Sequence, residues 1–202
     1  MIEALERLAK EPTESSATAS GKIWTDEEFM ALPDDGNRYE VVNGKLIAMG
    51  SAGARHGYYV SLISFFLTAY ARAQKMGVVF DSDTSFKMKS GNRRSPDCSF
   101  FSKERLRSLG GIPKGYIEGS PDLVVEVLSD DNTVGEIHNK IVDYFENGSR
   151  LVWLIHPEEK YVLVYRQPEP TALKRPGDIL EGEEVIPGFA LDLSEFFAEP
   201  EF

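Results

Sequence analysis

The sequence predicts an α/β or α+β domain, a mixed β-sheet with one helix against each side of it. Three observations carry that prediction. The run Pro121-Asp122-Leu123-Val124-Val125-Glu126-Val127-Leu128-Ser129 is apolar on both alternating faces, as a central strand covered on two sides must be. Two stretches, 56–75 and 133–147, repeat apolar residues at helical spacing. Around them, short β-branched and aromatic runs alternate with turn-forming residues, which is the pattern of a sheet.

Taken in order, residues 1–21 read as a flexible extension. A short helical stretch, Met1 to Lys10, precedes a Pro/Ser/Thr/Ala/Gly-rich linker, and the domain proper spans 22–202. Thr25-Asp26-Glu27-Glu28 is a capping box, with Phe29 and Leu32 as a small apolar face and Pro33 as the stop. Residues 38–49 form a hairpin around Asn43-Gly44. After a small-residue loop at 51–55, the first long helix carries Tyr59, Leu62, Ile63, Phe66, Leu67 and Tyr70 on one side, with Gly77 as its end signal. Strands are expected near 78–81, 84–89 and 96–101, then a charged, Gly-rich excursion over 103–119 with one short helix. The central strand at 122–128 leads into the helix 133–147, which Gly148 closes. Residues 151–156 and 161–166 pair around Pro157-Glu158-Glu159-Lys160, and 183–197 add a short strand pair and a helical turn.

At 202 residues the chain is long enough to bury a real core, and its 42% hydrophobic and 27% charged content suits a globular domain. No apolar stretch approaches the roughly 20 residues of a membrane span, and the N-terminus lacks the layout of a signal peptide. Lone Cys98 rules out an intramolecular disulfide and suits a reducing cytoplasm. A formal net charge of −11 opposes loose, non-specific binding of a polyanion, while leaving room for a local basic cleft. Lys87, Lys89, Arg93 and Arg94 are the densest basic cluster; they read either as phosphate contacts or as a solvated hairpin loop.

The chemistry concentrates in a few acids. Glu126 interrupts an otherwise buried strand, so it must be paired, protonated, bound to a cation or set in a cleft. Asp97 opens a second strand after Pro96, and reads either as a turn residue or as a partner for Glu126 in holding a divalent metal. Lys140 lies at the margin of the stripe Val134, Ile137, Ile141, Tyr144 and Phe145. It either pairs with Glu136 on the surface or swings inward over the end of the sheet. Asp122 reads as structural, and Cys98, Tyr144 and Trp153 as core. His138 and His156 lack the partners of a zinc site.

Glu40 in the first hairpin, Pro96-Asp97, the run 121–129, Lys140 on the next helix, Tyr144, Leu151-Val152-Trp153-Leu154-Ile155-His156-Pro157 and the closing Ile186-Pro187-Gly188-Phe189 share an order and spacing with one family. From about residue 24 to 197 the sequence resembles the Uma2 family of restriction-endonuclease-like proteins, part of the PD-(D/E)XK nuclease superfamily. The resemblance implies a restriction-endonuclease-like mixed sheet flanked by helices, with a metal site at the end of its central strands. It matches Asp97 to the PD acid and Glu126 to the D/E position. The lysine two residues on is missing, since Leu128 stands there, and Lys140 on the following helix is the matching position. Glu40 matches an acid of the first hairpin, and His56 a histidine at the start of the first long helix.

The implied activity is hydrolysis of DNA phosphodiester bonds with Mg²⁺ or Mn²⁺ on Asp97 and Glu126, assisted by Lys140 and Glu40. Lys87, Lys89, Arg93, Arg94 and His56 are the candidate DNA contacts, and a homodimer would bring two sites to two strands. The alternative is a nuclease-like fold that has become a binding or regulatory module. A glycosidase built on two carboxylates ranks behind both, for want of aromatic sugar platforms.

Overall fold

The computed structural model describes residues 24–32, 37–50, 53–129 and 132–201; the extension expected over 1–21 lies outside them. From the N-terminus come α1 (Asp26–Met30), β1 (Arg38–Val42), β2 (Lys45–Met49), α2 (Ala54–Gln74), β3 (Gly77–Asp81), β4 (Phe86–Lys87), β5 (Arg93–Arg94) and β6 (Cys98–Ser102). There follow α3 (Lys103–Ser108), β7 (Ile117–Glu118), β8 (Leu123–Val127), α4 (Val134–Glu146), β9 (Leu151–His156), β10 (Tyr161–Tyr165) and β11 (Pro170–Lys174). The chain closes with β12 (Ile179–Glu181), β13 (Ala190–Asp192) and α5 (Leu193–Phe196).

The architecture is the mixed α+β one that the sequence predicts. A six-stranded sheet runs β11-β10-β9-β8-β6-β3. Strand β8 pairs parallel with β9 and antiparallel with β6, with Val125 opposite both Trp153 and Cys98. One face of β8, Leu123, Val125 and Val127, packs in a core with Tyr59, Ile63 and Leu67 of α2. The other face, Val124 and Leu128, packs with Ile137, Ile141 and Tyr144 of α4. Each helix therefore covers one side of the central strand, and both are set by apolar spacing in the sequence. Helix α4 starts at a capping box, in which Thr133 and Glu136 satisfy each other's backbone donors. It ends where Gly148 (φ 110°) and Ser149 turn their N–H groups back onto Phe145 and Tyr144.

Several elements depart from the sequence expectation. A second, five-stranded sheet, β2-β1-β5-β4-β7, stands beside the first, and β12 pairs with β13 in a separate ribbon. The ribbon begins upstream of residue 183 because Gly182 and Phe189 already bridge its two strands. Helix α2 ends on Lys75 in the left-handed region (φ 54°), not on Gly77. Gly77 instead opens β3, where an added Cβ would lie 2.1 Å from the Phe101 carbonyl oxygen and 2.8 Å from the Phe100 ring.

The basic cluster is also corrected in part. Arg93 and Arg94 form β5, paired with β1 and β4, and are buried to 1% and 4% exposure. The Arg93 guanidinium lies 3.8 Å from the centre of the Tyr116 ring and 4.7 Å from that of Phe29. Arg94 is enclosed by carboxylates. Neither presents its charge to a phosphate at the surface, and the hairpin loop is solvated only at its Lys89 end.

Gly77→Ala is expected to lower the unfolding free energy by about 1–3 kcal/mol through overpacking against the β6 backbone. Urea denaturation should report a lower midpoint with an unchanged m-value.

Candidate active site

Four segments far apart in the chain meet at the end of β8. Strand β1 contributes Glu40, the stretch from β5 to β6 contributes Arg94, Ser95 and Asp97, β8 contributes Glu126, and α4 contributes Lys140, Asp143 and Tyr144. Residues 140, 143 and 144 share one side of a helix by their spacing, so α4 offers an amine, a carboxylate and a phenol together. Continuing the β6–β8 register by one residue sets Asp97 across from Glu126.

Glu126 is held from two directions. Lys140 Nζ lies 3.3 Å from its Oε2, and the Tyr144 hydroxyl donates to its Oε1 at 2.5 Å. Lys140 also lies 3.5 Å from Glu40 Oε1, so one ammonium bridges two acids from separate sheets. Glu40 further accepts from Arg94 Nη1 at 2.9 Å and from the Ser95 N–H at 3.1 Å. Arg94 turns its other edge to Asp143, whose Oδ2 takes Nη2 at 2.6 Å and Nε at 2.8 Å. Asp97 Oδ2 accepts the Val127 N–H at 2.8 Å, prolonging the β6–β8 ladder through a side chain. His56, at the start of α2, places Nε2 3.1 Å from the same oxygen.

Burial makes these charges consequential. Burial opposes charge on Lys140, but Glu126, Glu40 and Asp97 outweigh it and hold the amine above its ordinary value. Burial also works against the Glu40 carboxylate, yet Lys140 and Arg94 keep it below the usual carboxylate range. Glu126 goes the other way: burial pushes it up to about 7 in spite of Lys140, with Asp97 and Glu40 adding repulsion. The hydrogen bond to Asp97 lifts His56 above its ordinary value, against its partial burial. Tyr144, raised well above its usual value by burial and by the Glu126 charge, stays a donor.

The family profile described as "Uma2: Putative restriction endonuclease" matches residues 26–194. The chain belongs to the Uma2 family. Among solved structures it is similar to a "putative nuclease belonging to DUF820" from Anabaena variabilis, with a TM-score of 0.75 and 23% identity over 85% of this chain and 96% of that one. At that identity the likeness is one of fold. No curated protein matches the chain.

In this Uma2 chain, Asp97, Glu126, Lys140, Glu40 and His56 are therefore brought to one place; Lys87 lies in β4, and the Lys89 N–H donates to Asn147 Oδ1 just past α4. Lys140 swings inward, and Glu136 spends its carboxylate on the Thr133 cap instead of on a surface pair. Asp122 is structural: it accepts the Ser102 N–H and faces Arg105 and Arg150. Sequence reasoning missed Asp143 and the roles of Tyr144 and Arg94. The signal for the first two was their spacing of three and four from Lys140. Arg94 carried none, since its pairing depends on the second sheet.

The donor set suits a hard divalent cation. Asp97 and Glu126 offer carboxylate oxygens from neighbouring strands, the only protein ligands such an ion would have, since among the described residues no group of three or more His, Cys, Asp or Glu side chains is placed to hold a metal ion. Two protein carboxylates with the other positions left to water and substrate is how Mg²⁺ is commonly held. Four carboxylates, Glu40, Asp97, Glu126 and Asp143, face two permanent cations, Arg94 and Lys140, so full ionisation leaves two negative charges uncompensated.

The raised Glu126 value has a consequence for stability without metal. The folded state keeps a proton that the unfolded chain releases near 4.5, so this contribution is complete below about 4.5 and is lost as pH rises through about 7. The loss is on the order of 3 kcal/mol at about 1.4 kcal/mol per pKa unit. Chemical denaturation across that range should show a decline in the wild type that Glu126→Gln flattens. A decline of equal size in the variant would assign the titration to another group.

Proposed function

We propose that this Uma2 protein is a metal-dependent endonuclease that hydrolyses DNA phosphodiester bonds. The observation that supports it most is the position of Lys140. The nuclease superfamily's usual lysine position is filled by Leu128, yet the α4 amine reaches Glu126 within 3.3 Å. A lysine 14 residues from Glu126 in the sequence is thus its neighbour in space, which supports this reading.

In this reading Asp97 and Glu126 hold Mg²⁺ or Mn²⁺. The bound ion supplies Lewis acidity to the phosphoryl group and a lower pKa for a water. The remaining work falls to the chain. Lys140, kept charged by its carboxylates, orients the attacking water and offsets charge that builds on the phosphate. Glu40, itself fixed by Arg94, holds Lys140 from the side opposite Glu126. Tyr144 fixes the rotamer of Glu126, and His56 fixes that of Asp97. Cleavage of both strands in one encounter calls for two such sites, which a homodimer would provide.

A second reading, a nuclease-like module that binds without cutting, draws on one observation: both Glu126 oxygens already have protein donors. Metal binding separates the two readings. Calorimetric titration with Mn²⁺ is expected to show binding that Asp97→Asn and Glu126→Gln each weaken by at least about tenfold. Equal affinities in all three proteins would remove the metal from the mechanism. Lys140→Ala is expected to keep metal binding while losing about 10²–10³-fold in plasmid nicking. Nicking at the wild-type rate would take Lys140 out of the chemistry.

A further inference from the structure

A groove of about 650 Å³ lies at the far end of the β3–β6 pair from Asp97. Four cations line it: Arg72 and Lys75 from the end of α2, and Lys103 and Arg107 from α3. Its apolar lining is Ala71, Val78 and Leu106 with the exposed Ile112, and the lining contains neither an acidic nor an aromatic residue. None of the four cations has a carboxylate partner among the described residues. A basic residue at a helix C-terminus complements the helix dipole, which accounts for a cation on each helix. It does not account for four of them converging on one opening in a chain of net charge −11.

The groove is a built feature of the fold. Lys75 is fixed at the left-handed cap of α2, and the Lys103 N–H donates to the Met76 carbonyl at 2.8 Å, locking the start of α3 against the end of α2. Gly77 lets β3 begin flush against β6, where a side chain would strike Phe101. Gly110 and Gly111, both at positive φ, close the rim beyond Arg107.

We infer that this groove is a second contact surface for the phosphodiester backbone of duplex DNA, used together with the acid site; the inference rests on the nuclease reading above. Three exposed cations, Arg72, Lys75 and Arg107, and the half-buried Lys103 around an open depression suit backbone phosphates. The absence of aromatic lining residues removes the stacking platforms on which single-stranded bases are held. Asp97 and Lys103 flank β6 and lie six residue steps apart, a distance of roughly 20 Å at about 3.3 Å per step. That equals about six phosphate steps along one strand of duplex at 3.4 Å each. A duplex engaged at Asp97 and Glu126 is therefore long enough to reach the groove with its own backbone. Two of the cations that the sequence offered for this task, Arg93 and Arg94, are occupied inside the fold.

The test is binding of a fluorescently labelled short duplex, followed by anisotropy across about 50–200 mM salt with Ca²⁺ in place of Mg²⁺. The proteins compared are the wild type, the groove variant Lys75→Gln/Lys103→Gln/Arg107→Gln, and a control with the same charge change at Lys45, Lys160 and Lys174. The groove variant is expected to lose about 10- to 100-fold in affinity near 100 mM salt and to have a salt slope shallower by about 3. The control is expected to remain near the wild type. Equal losses in the two variants, or none in the groove variant, would overturn the inference. So would a wild type that binds no duplex. Thermal unfolding confirms that the variants are folded, and slowed hydrogen exchange over residues 103–111 on adding duplex gives an independent readout. Plasmid nicking in Mg²⁺ keeps the two ideas apart: a wild type that binds through the groove and never cuts retains this surface and removes the nuclease, whereas cutting without groove dependence does the reverse.

Discussion

One ammonium group joins the two halves of this protein. Glu126 stands in a strand covered on both faces, and Glu40 stands in a strand of the neighbouring sheet; both are almost wholly buried. Lys140 lies between them, within 3.3 and 3.5 Å. A buried carboxylate without a counter-charge is strongly destabilising, so the seating of α4 is constrained by charge as well as by apolar packing. Ile137 and Ile141 give the helix its place on the large sheet, and Lys140 and Asp143 give it its rotation.

Arg94 extends that constraint. By holding Glu40 with one edge and Asp143 with the other, it ties the small sheet to α4 independently of Lys140. Glu40 is thereby kept ionised, and Lys140 is kept charged between two acids. Of the acids around Lys140, Glu126 bears the unfavourable balance of burial and repulsion. The strain of the whole cluster is thus concentrated on one carboxyl group, which a proton or a cation relieves. A group poised in this way at a strand end is a common mark of functional sites.

Much of this was legible in the sequence because it depends on local rules. Alternation separates Leu123, Val125 and Val127 from Val124 and Leu128, and the structure puts those sets in two different cores. Asn43-Gly44 sets the first hairpin, and Thr133 with Glu136 sets the start of α4. What resisted reading depends on distant pairing. Strands of two residues, such as Arg93–Arg94, have no periodicity of their own; they exist because β1 and β4 flank them. A charged dipeptide there looks like a loop, and only tertiary structure turns one arginine into a stacked filler and the other into a bridge. Gly77 misled for the opposite reason, since a glycine after a helix usually marks its end, whereas here it serves the strand that follows.

The Asp97 carboxylate standing in for a backbone carbonyl at the end of the β6–β8 ladder has a kinetic implication. The contacts that complete the cluster span 54 residues between Glu40 and Arg94, 41 between His56 and Asp97, and 14 between Glu126 and Lys140. Closing such loops costs chain entropy before any of the interactions repay it. The smallest stretch that contains the set runs from Glu40 to Tyr144, so the site exists only once β1, the β5–β6 stretch, β8 and α4 have come together. Chemistry at this position would therefore report that both sheets and α4 are assembled around one another.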